Sequence, residues 1–219
     1  FKMTKKITIA IDAMGGENAP KKNIEGLNIF LKKIKSNDFF FHLYGDEQLI
    51  EKELNLLKIS KQYIKVIHSD GTVSDEESPM TAVKNSKNTS MWNSVKAQLD
   101  NGADISLSAG NTGVLLVISR MILKMMKEVS KPALAGLWPS QKGMSVVLDL
   151  GANIECNEKN LIDFSEMGAA LYKSIFPEQK PFVSLLNIGS EEIKGTEVLK
   201  KTFSELKRLS NETNFIFNG

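Results

Sequence analysis

Apolar positions along this chain follow two periods that take turns. KITIAIDA is a β-branched run that predicts a strand, and after Gly15-Gly16 the residues Ile24, Leu27, Leu31 and Ile34 fall at helical spacing. FFFHLYG predicts a second strand, DEQLIEKELNLL a second helix capped by Asp46, and YIKVIH a third strand. Beyond a polar stretch, SMWNSVKAQLDNG predicts a helix stopped by Gly102, ADISLS a strand, and VLLVISRMILKMMKEV a long helix.

KPALAGLWP breaks the rhythm. Bounded by Pro132 and Pro139, it suits an edge strand, and SQKG joins it to MSVVLDLG as an antiparallel hairpin inside an otherwise parallel sheet. The tail resumes the alternation: helix NLIDFSEMGAALYKSIF, strand FVSLLNIG, helix EEIKGTEVLKKTFSELKRL, strand NFIFNG. With no internal repeat and no flexible linker, the pattern predicts a single α/β domain over 1–219. Its sheet is doubly wound and mostly parallel, with helices on both faces.

Composition narrows the partners. The 219 residues are 42% hydrophobic and 25% charged, with a net charge of +2, so no basic stripe argues for nucleic acid. The one cysteine, Cys156, excludes an internal disulfide and any multi-cysteine metal site and fits a reducing compartment. No window approaches the ~18 uninterrupted apolar residues of a membrane span. The Met-rich helix after Gly113 is interrupted by Arg120 and Lys124.

The chemistry concentrates at strand ends. IDAMGG, SLSAGNTG, LDLGAN, LNIGSEE and NFIFNG each carry small or amide residues, and ligands of open α/β sheets bind outside the carboxyl ends of strands. Five such corners at one rim predict a shared crevice. SAGNTG is neither a Walker loop nor a GxGxxG fingerprint. Gly110, Asn111, Thr112 and Gly113 predict a nest of N–H groups at a helix N-terminus, with Ser108 and Thr112 adding hydroxyls, and phosphate is its natural occupant. Lys84, Lys87 and Lys194 are the candidate cations. His42 reads as a packed side chain with a local hydrogen bond, His68 as a weak candidate at a strand end, and Cys156 as a small structural residue.

Five ordered blocks, IAIDAMGG, SAGNTGVLL, KPALAGLWPSQKGMSVVLDLGANIEC, FSEMGAALY and LLNIGSEEIKG, resemble the bacterial phosphate acyltransferase family PlsX from about Ile7 to Gly219. The resemblance implies a three-layer α/β/α fold similar to the phosphotransacetylase and isocitrate dehydrogenase-like group. It implies acyl phosphate formation from long-chain acyl-[acyl-carrier protein] and inorganic phosphate, in a homodimeric cytoplasmic enzyme without a cofactor that feeds a glycerol-3-phosphate acyltransferase. It also implies further helices after Gly219, among them a hairpin that touches the membrane peripherally. Glu17 and Lys131 depart from the Asp and Arg usual in the family, and Lys131 lacks the fork that grips phosphate bidentately.

Phosphate attack on a thioester asks the protein to hold a polyanion and stabilise an oxyanion. The SAGNTG loop is the expected phosphate site, with Lys84 or Lys87 adding charge. Asn153 and Asn187 are expected donors to the carbonyl oxygen, and Asp12, Gly15, Gly16 and Lys194 expected contacts of substrate or carrier. Two rivals are a short-chain phosphotransacetylase using acetyl-CoA and a non-catalytic module binding an anion or partner. An NAD-linked dehydrogenase ranks lower, because no cluster of metal-binding aspartates is visible.

Overall fold

The computed structural model describes residues 6–34, 38–74, 79–100, 102–141, 143–189, 194–210 and 212–219. The chain forms two compact units, Phe1–Lys124 and Met125–Gly219. Its architecture is α/β, mostly parallel with one antiparallel hairpin, in agreement with the sequence pattern.

The first unit runs β1 (Ile7–Asp12), α1 (Lys21–Lys33), β2 (Phe39–Gly45), α2 (Glu47–Leu56), β3 (Ile64–His68), α3 (Pro79–Asn85), α4 (Ser90–Leu99), β4 (Ile105–Leu107) and α5 (Thr112–Leu123). Its four strands are parallel in the order β3-β2-β1-β4. Ile9 lies beside Phe41 and Ile105, and Ile11 beside Leu43 and Leu107, so these apolar side chains share one face. There Ile9, Phe41 and Leu43 pack with Ile24 and Leu27 of α1 and Ile50 and Leu54 of α2. On the opposite face the fully buried Ala10 packs with Ala97 of α4 and with Tyr44. Asp46 caps α2 as expected, accepting the Leu49 N–H at 3.0 Å.

Two details differ from the sequence pattern. The polar stretch before α4 contains the short helix α3, and α5 ends at Leu123 where apolar spacing continues to Val129. The reason for the early stop is local: Lys124 adopts φ +65°, which the right-handed helix cannot continue.

The second unit contains the hairpin β5 (Ala135–Ser140) and β6 (Gly143–Leu148), then α6 (Glu158–Ile175), β7 (Phe182–Val183), α7 (Glu197–Leu209) and β8 (Ile216–Phe217). Asn157 and Asn160 close a reciprocal capping box at the start of α6. Ala169 of α6, Leu206 of α7 and Phe215 form the buried core. The hairpin is a sheet by itself, and β7 and β8 make a separate parallel pair, so the described strands form three sheets where one was expected. FVSLLNIG is strand only at Phe182–Val183, because β8 offers it two partners; Leu186 and Ile188 beyond are 87% exposed. The helix expected from Glu191 begins, among the described residues, at Glu197 behind the cap Thr196; Glu191 itself lies outside them.

Candidate active site

In the first unit, parallel pairing of β1 with β4 brings two of the five predicted corners together, although 96 residues separate them. The Ser108 hydroxyl donates to Asp12 Oδ2 at 2.7 Å and accepts the Gly110 N–H at 3.1 Å. Met14 N–H donates to Asp12 Oδ1 at 3.3 Å, and the Ser90 hydroxyl, at the first position of α4, also reaches this carboxylate. Asp12 is 2% exposed. Burial pushes its pKa above the usual 3.8, and the bonds from Ser90, Ser108, Met14 and Gly15 do not outweigh it.

Glycine is required here by contact. A Cβ on Gly15 would lie 2.5 Å from Asp12 Oδ2 and 2.9 Å from the Gly110 nitrogen. Gly16, at φ +88°, would meet the Ala109 carbonyl oxygen at 2.7 Å. From α1, Asn23 Nδ2 donates to the carbonyls of Ala13 and Gly15, each at 2.9 Å, and fixes the β1–α1 loop from behind.

The corner opens onto the N-terminus of α5. Asn111 caps it, taking the Val114 N–H at 3.1 Å. With Gly110 N–H held by Ser108, the expected nest narrows to the amides of Thr112 and Gly113, which have no hydrogen-bond partner among the described residues. Ser108, both acceptor and donor inside the corner, builds the loop, while the Thr112 side chain stands at the exposed surface. Lys84 is exposed in the last turn of α3, which packs against α5, and Lys87 is exposed in the turn ahead of α4.

The second unit holds the other candidates. Asp149, after β6, accepts N–H bonds from Leu134 at 3.0 Å, Ala152 at 3.1 Å and Asn153 at 2.9 Å. Partial burial raises its pKa, but these bonds and that of the Asn153 side chain win, so it lies below 3.8. Asn153 Nδ2 donates to Pro132 O at 2.8 Å and to Asp149 Oδ2 at 2.9 Å, using both amide hydrogens to tie the loop to the hairpin. Lys131 Nζ donates to Glu155 O at 2.6 Å.

Asn187 donates through Nδ2 to Lys194 O at 3.2 Å and accepts the Ile188 N–H at 2.8 Å. Gly195, at φ +90°, packs so close that a Cβ would come within 2.6 Å of Asn187 Oδ1. Asn187 and Lys194 line one groove of about 890 Å³ together with Lys200 and Lys207.

The remaining polar candidates have ordinary surroundings. His42 Nδ1 is buried without a hydrogen-bond partner among the described residues, against the local bond expected, and burial followed by the Lys65 charge lowers its pKa. His68 pairs with Asp70 at 3.6 Å on the surface, and Cys156 is a half-buried free thiol. Among the described residues no helix is long and apolar enough to cross a membrane, and no group of three or more His, Cys, Asp or Glu is gathered for a metal. Sequence reasoning missed Ser90, Asn23 and Asp149. Only Asp149 had a signal, since IDAMGG and LDLGAN both place Asp at a strand end ahead of glycine.

A family model described as fatty acid synthesis protein matches residues 7–219. The chain is 50% identical over 217 residues to the phosphate acyltransferase of Pelagibacter ubique, covering 99% of this chain and 64% of that protein. To the phosphate acyltransferase of Caulobacter vibrioides it is 38% identical over 205 residues, 94% of this chain and 56% of that one. The chain thus spans less than two thirds of the length of these relatives. In solved structures it is similar to the EutD phosphotransacetylase from Staphylococcus aureus, with TM-score 0.68 at 14% identity over 98% of this chain and 68% of that one. A phosphotransacetylase from Streptococcus pyogenes gives TM-score 0.67 at 15% identity with the same coverage. At such identities the likeness is one of fold.

Proposed function

Because this chain belongs to the fatty acid synthesis protein family of phosphate acyltransferases, we propose that it serves acyl transfer from long-chain acyl-[acyl-carrier protein] to inorganic phosphate. An oxygen of hydrogen phosphate attacks the thioester carbon, the C–S bond breaks, and the carrier's thiol leaves with acyl phosphate as product. Phosphate is a competent nucleophile near neutrality, so positioning and charge stabilisation are the protein's tasks.

The observation that carries this reading is the N-terminus of α5, where the Thr112 and Gly113 amides remain while the cap and Ser108 use their neighbours. Phosphate held there gains two N–H donors, the positive end of the helix dipole and the Thr112 hydroxyl. Asp12, Ser108, Gly15 and Gly16 are positioning residues that set the loop, a narrower role than contact with substrate. Lys84 and Lys87 add positive charge from the α3–α4 segment. Asn187, whose Nδ2 makes one bond among the described residues, is the proposed donor to the oxyanion, whereas Asn153 acts through the loop it ties. Lys194, Lys200 and Lys207 suit the acidic surface of a carrier protein. A homodimer, cytoplasmic location with peripheral membrane contact, and delivery to a glycerol-3-phosphate acyltransferase complete the proposal.

Radiolabelled phosphate mixed with hexadecanoyl-[acyl-carrier protein] tests it. Labelled acyl phosphate is expected, and Asn111→Ala or Thr112→Val is expected to raise KM for phosphate about tenfold, the scale of one bond to a charged group, while KM for the acyl carrier moves less. Turnover of acetyl-CoA alone points to the phosphotransacetylase reading. Unchanged phosphate saturation in both variants removes the loop from the site.

A further inference from the structure

A second feature of the first unit lies on the α1 face of the sheet. A cavity of about 370 Å³ is bounded by α1, β1 and β4. Its floor is apolar: Ile9, Ile11, Leu27, Phe30, Phe41 and Leu107. Its other end is polar, with Asp12, Lys22, Asn23, Ser108 and Ala109, so it begins at the corner that supports the candidate phosphate loop. Strand and helix run in opposite directions, and the polarity therefore grades along both. From Lys22 to Phe30 the helix rises about 12 Å. A largely apolar pocket with a few polar groups at one end is built for a long amphiphile.

Gly26 gives this cavity an independent mark. It stands in the interior of α1 with an ordinary backbone, and a Cβ added there meets no heavy atom within 4 Å. Neither a positive φ nor a tight contact calls for glycine, although glycine disfavours a helix interior relative to alanine. What the missing side chain does is leave the wall between Lys22 and Phe30 bare. The half-exposed Leu107 (51%) and Phe30 (40%) flank it and present apolar surface to the same space.

We propose that this cavity receives the acyl chain of the substrate, with the thioester end toward Ser108 and the methyl end toward Phe30 and Ile9. The inference rests on the acyl-transfer reading above and adds the residue that admits long chains, Gly26.

The test uses the intact protein carrying Gly26→Ala or Gly26→Phe, with two readouts. The first is acyl phosphate formation from hexadecanoyl- and from hexanoyl-[acyl-carrier protein]. The second is binding of the fluorescent fatty acid cis-parinarate, which needs no turnover. Gly26→Phe is expected to lower kcat/KM for the hexadecanoyl substrate on the order of tenfold or more while sparing the hexanoyl one, and to weaken parinarate binding by a similar factor. Gly26→Ala should fall between. A Gly26→Phe protein that melts as the wild type does yet treats both chain lengths alike overturns the assignment. Equal loss on both substrates together with a lowered melting temperature overturns it too, and marks the cavity as a seat for another protein segment. Parinarate binding that Gly26→Phe weakens, in a wild type making no acyl phosphate, keeps the cavity and discards the transfer reaction.

Discussion

Asp12 and Asp149 look alike in sequence and behave in opposite ways. Asp12 is the last residue of β1 and Asp149 directly follows β6, each is followed within three residues by glycine, and each accepts N–H bonds from the loop it begins. Asp12 is buried, and two of its partners are serine hydroxyls; desolvation prevails and its pKa rises. Asp149 is half-buried and gathers three backbone N–H groups and an amide, and these donors prevail over burial. With four donors apiece, depth of burial, and not the local motif, decides which way the pKa of a strand-end aspartate moves.

The largest effect that separates the two corners should come from truncation. Asp12→Ala leaves the Ser90 and Ser108 hydroxyls and the Met14 amide without their carboxylate acceptor in a buried site, and should cost about 3 kcal/mol in urea unfolding. Asp149→Ala exposes its orphaned donors partly to water and should cost about 1–2 kcal/mol. Equal losses would break the contrast. Next, Gly15→Ala drives a methyl into the Asp12 carboxylate and the Gly110 backbone, which should cost about 1–3 kcal/mol by overpacking. A neutral Gly15→Ala would mean that the β1 and β4 loops part easily.

The smallest effects sharpen the comparison by their sign. Asp12 has a folded pKa above 3.8, so the native state holds its proton longer than the unfolded chain. The stability linked to it is present below 3.8 and is lost as pH rises through the folded value. Asp149 has a folded pKa below 3.8; its contribution is present above 3.8 and is lost as pH falls through the folded value. Urea midpoints measured across pH should therefore flatten above 3.8 in Asp12→Asn and below 3.8 in Asp149→Asn. Flattening of one and the same limb by both variants would end the distinction.

Much of the fold was legible because periodicity and caps act locally. The strands of the first unit, α1, α2 and α4, the Asp46 cap and the hairpin all follow from patterns within one segment. The left-handed Lys124 that stops α5 was hidden by apolar spacing that continues past it. The shortness of β7 was hidden because strand length depends on the partner, and β8 pairs with only two of its residues.

Site residues divide the same way. The SAGNTG loop announces a helix N-terminus, and Asn111 caps it. That Ser108 turns its hydroxyl to Asp12, that Ser90 joins them, and that Asn153 has no amide hydrogen left depends on groups far away in sequence. One corner alone cannot reveal which donors its neighbours already hold.

Gly15 against Gly110 and Gly16 against Ala109 make the β1–α1 and β4–α5 loops a matched set. Chimeras that import either turn from a distant homologue should therefore fail unless both are transplanted together. The two segments form one unit of inheritance, and a library randomising one while fixing the other would explore mostly broken proteins.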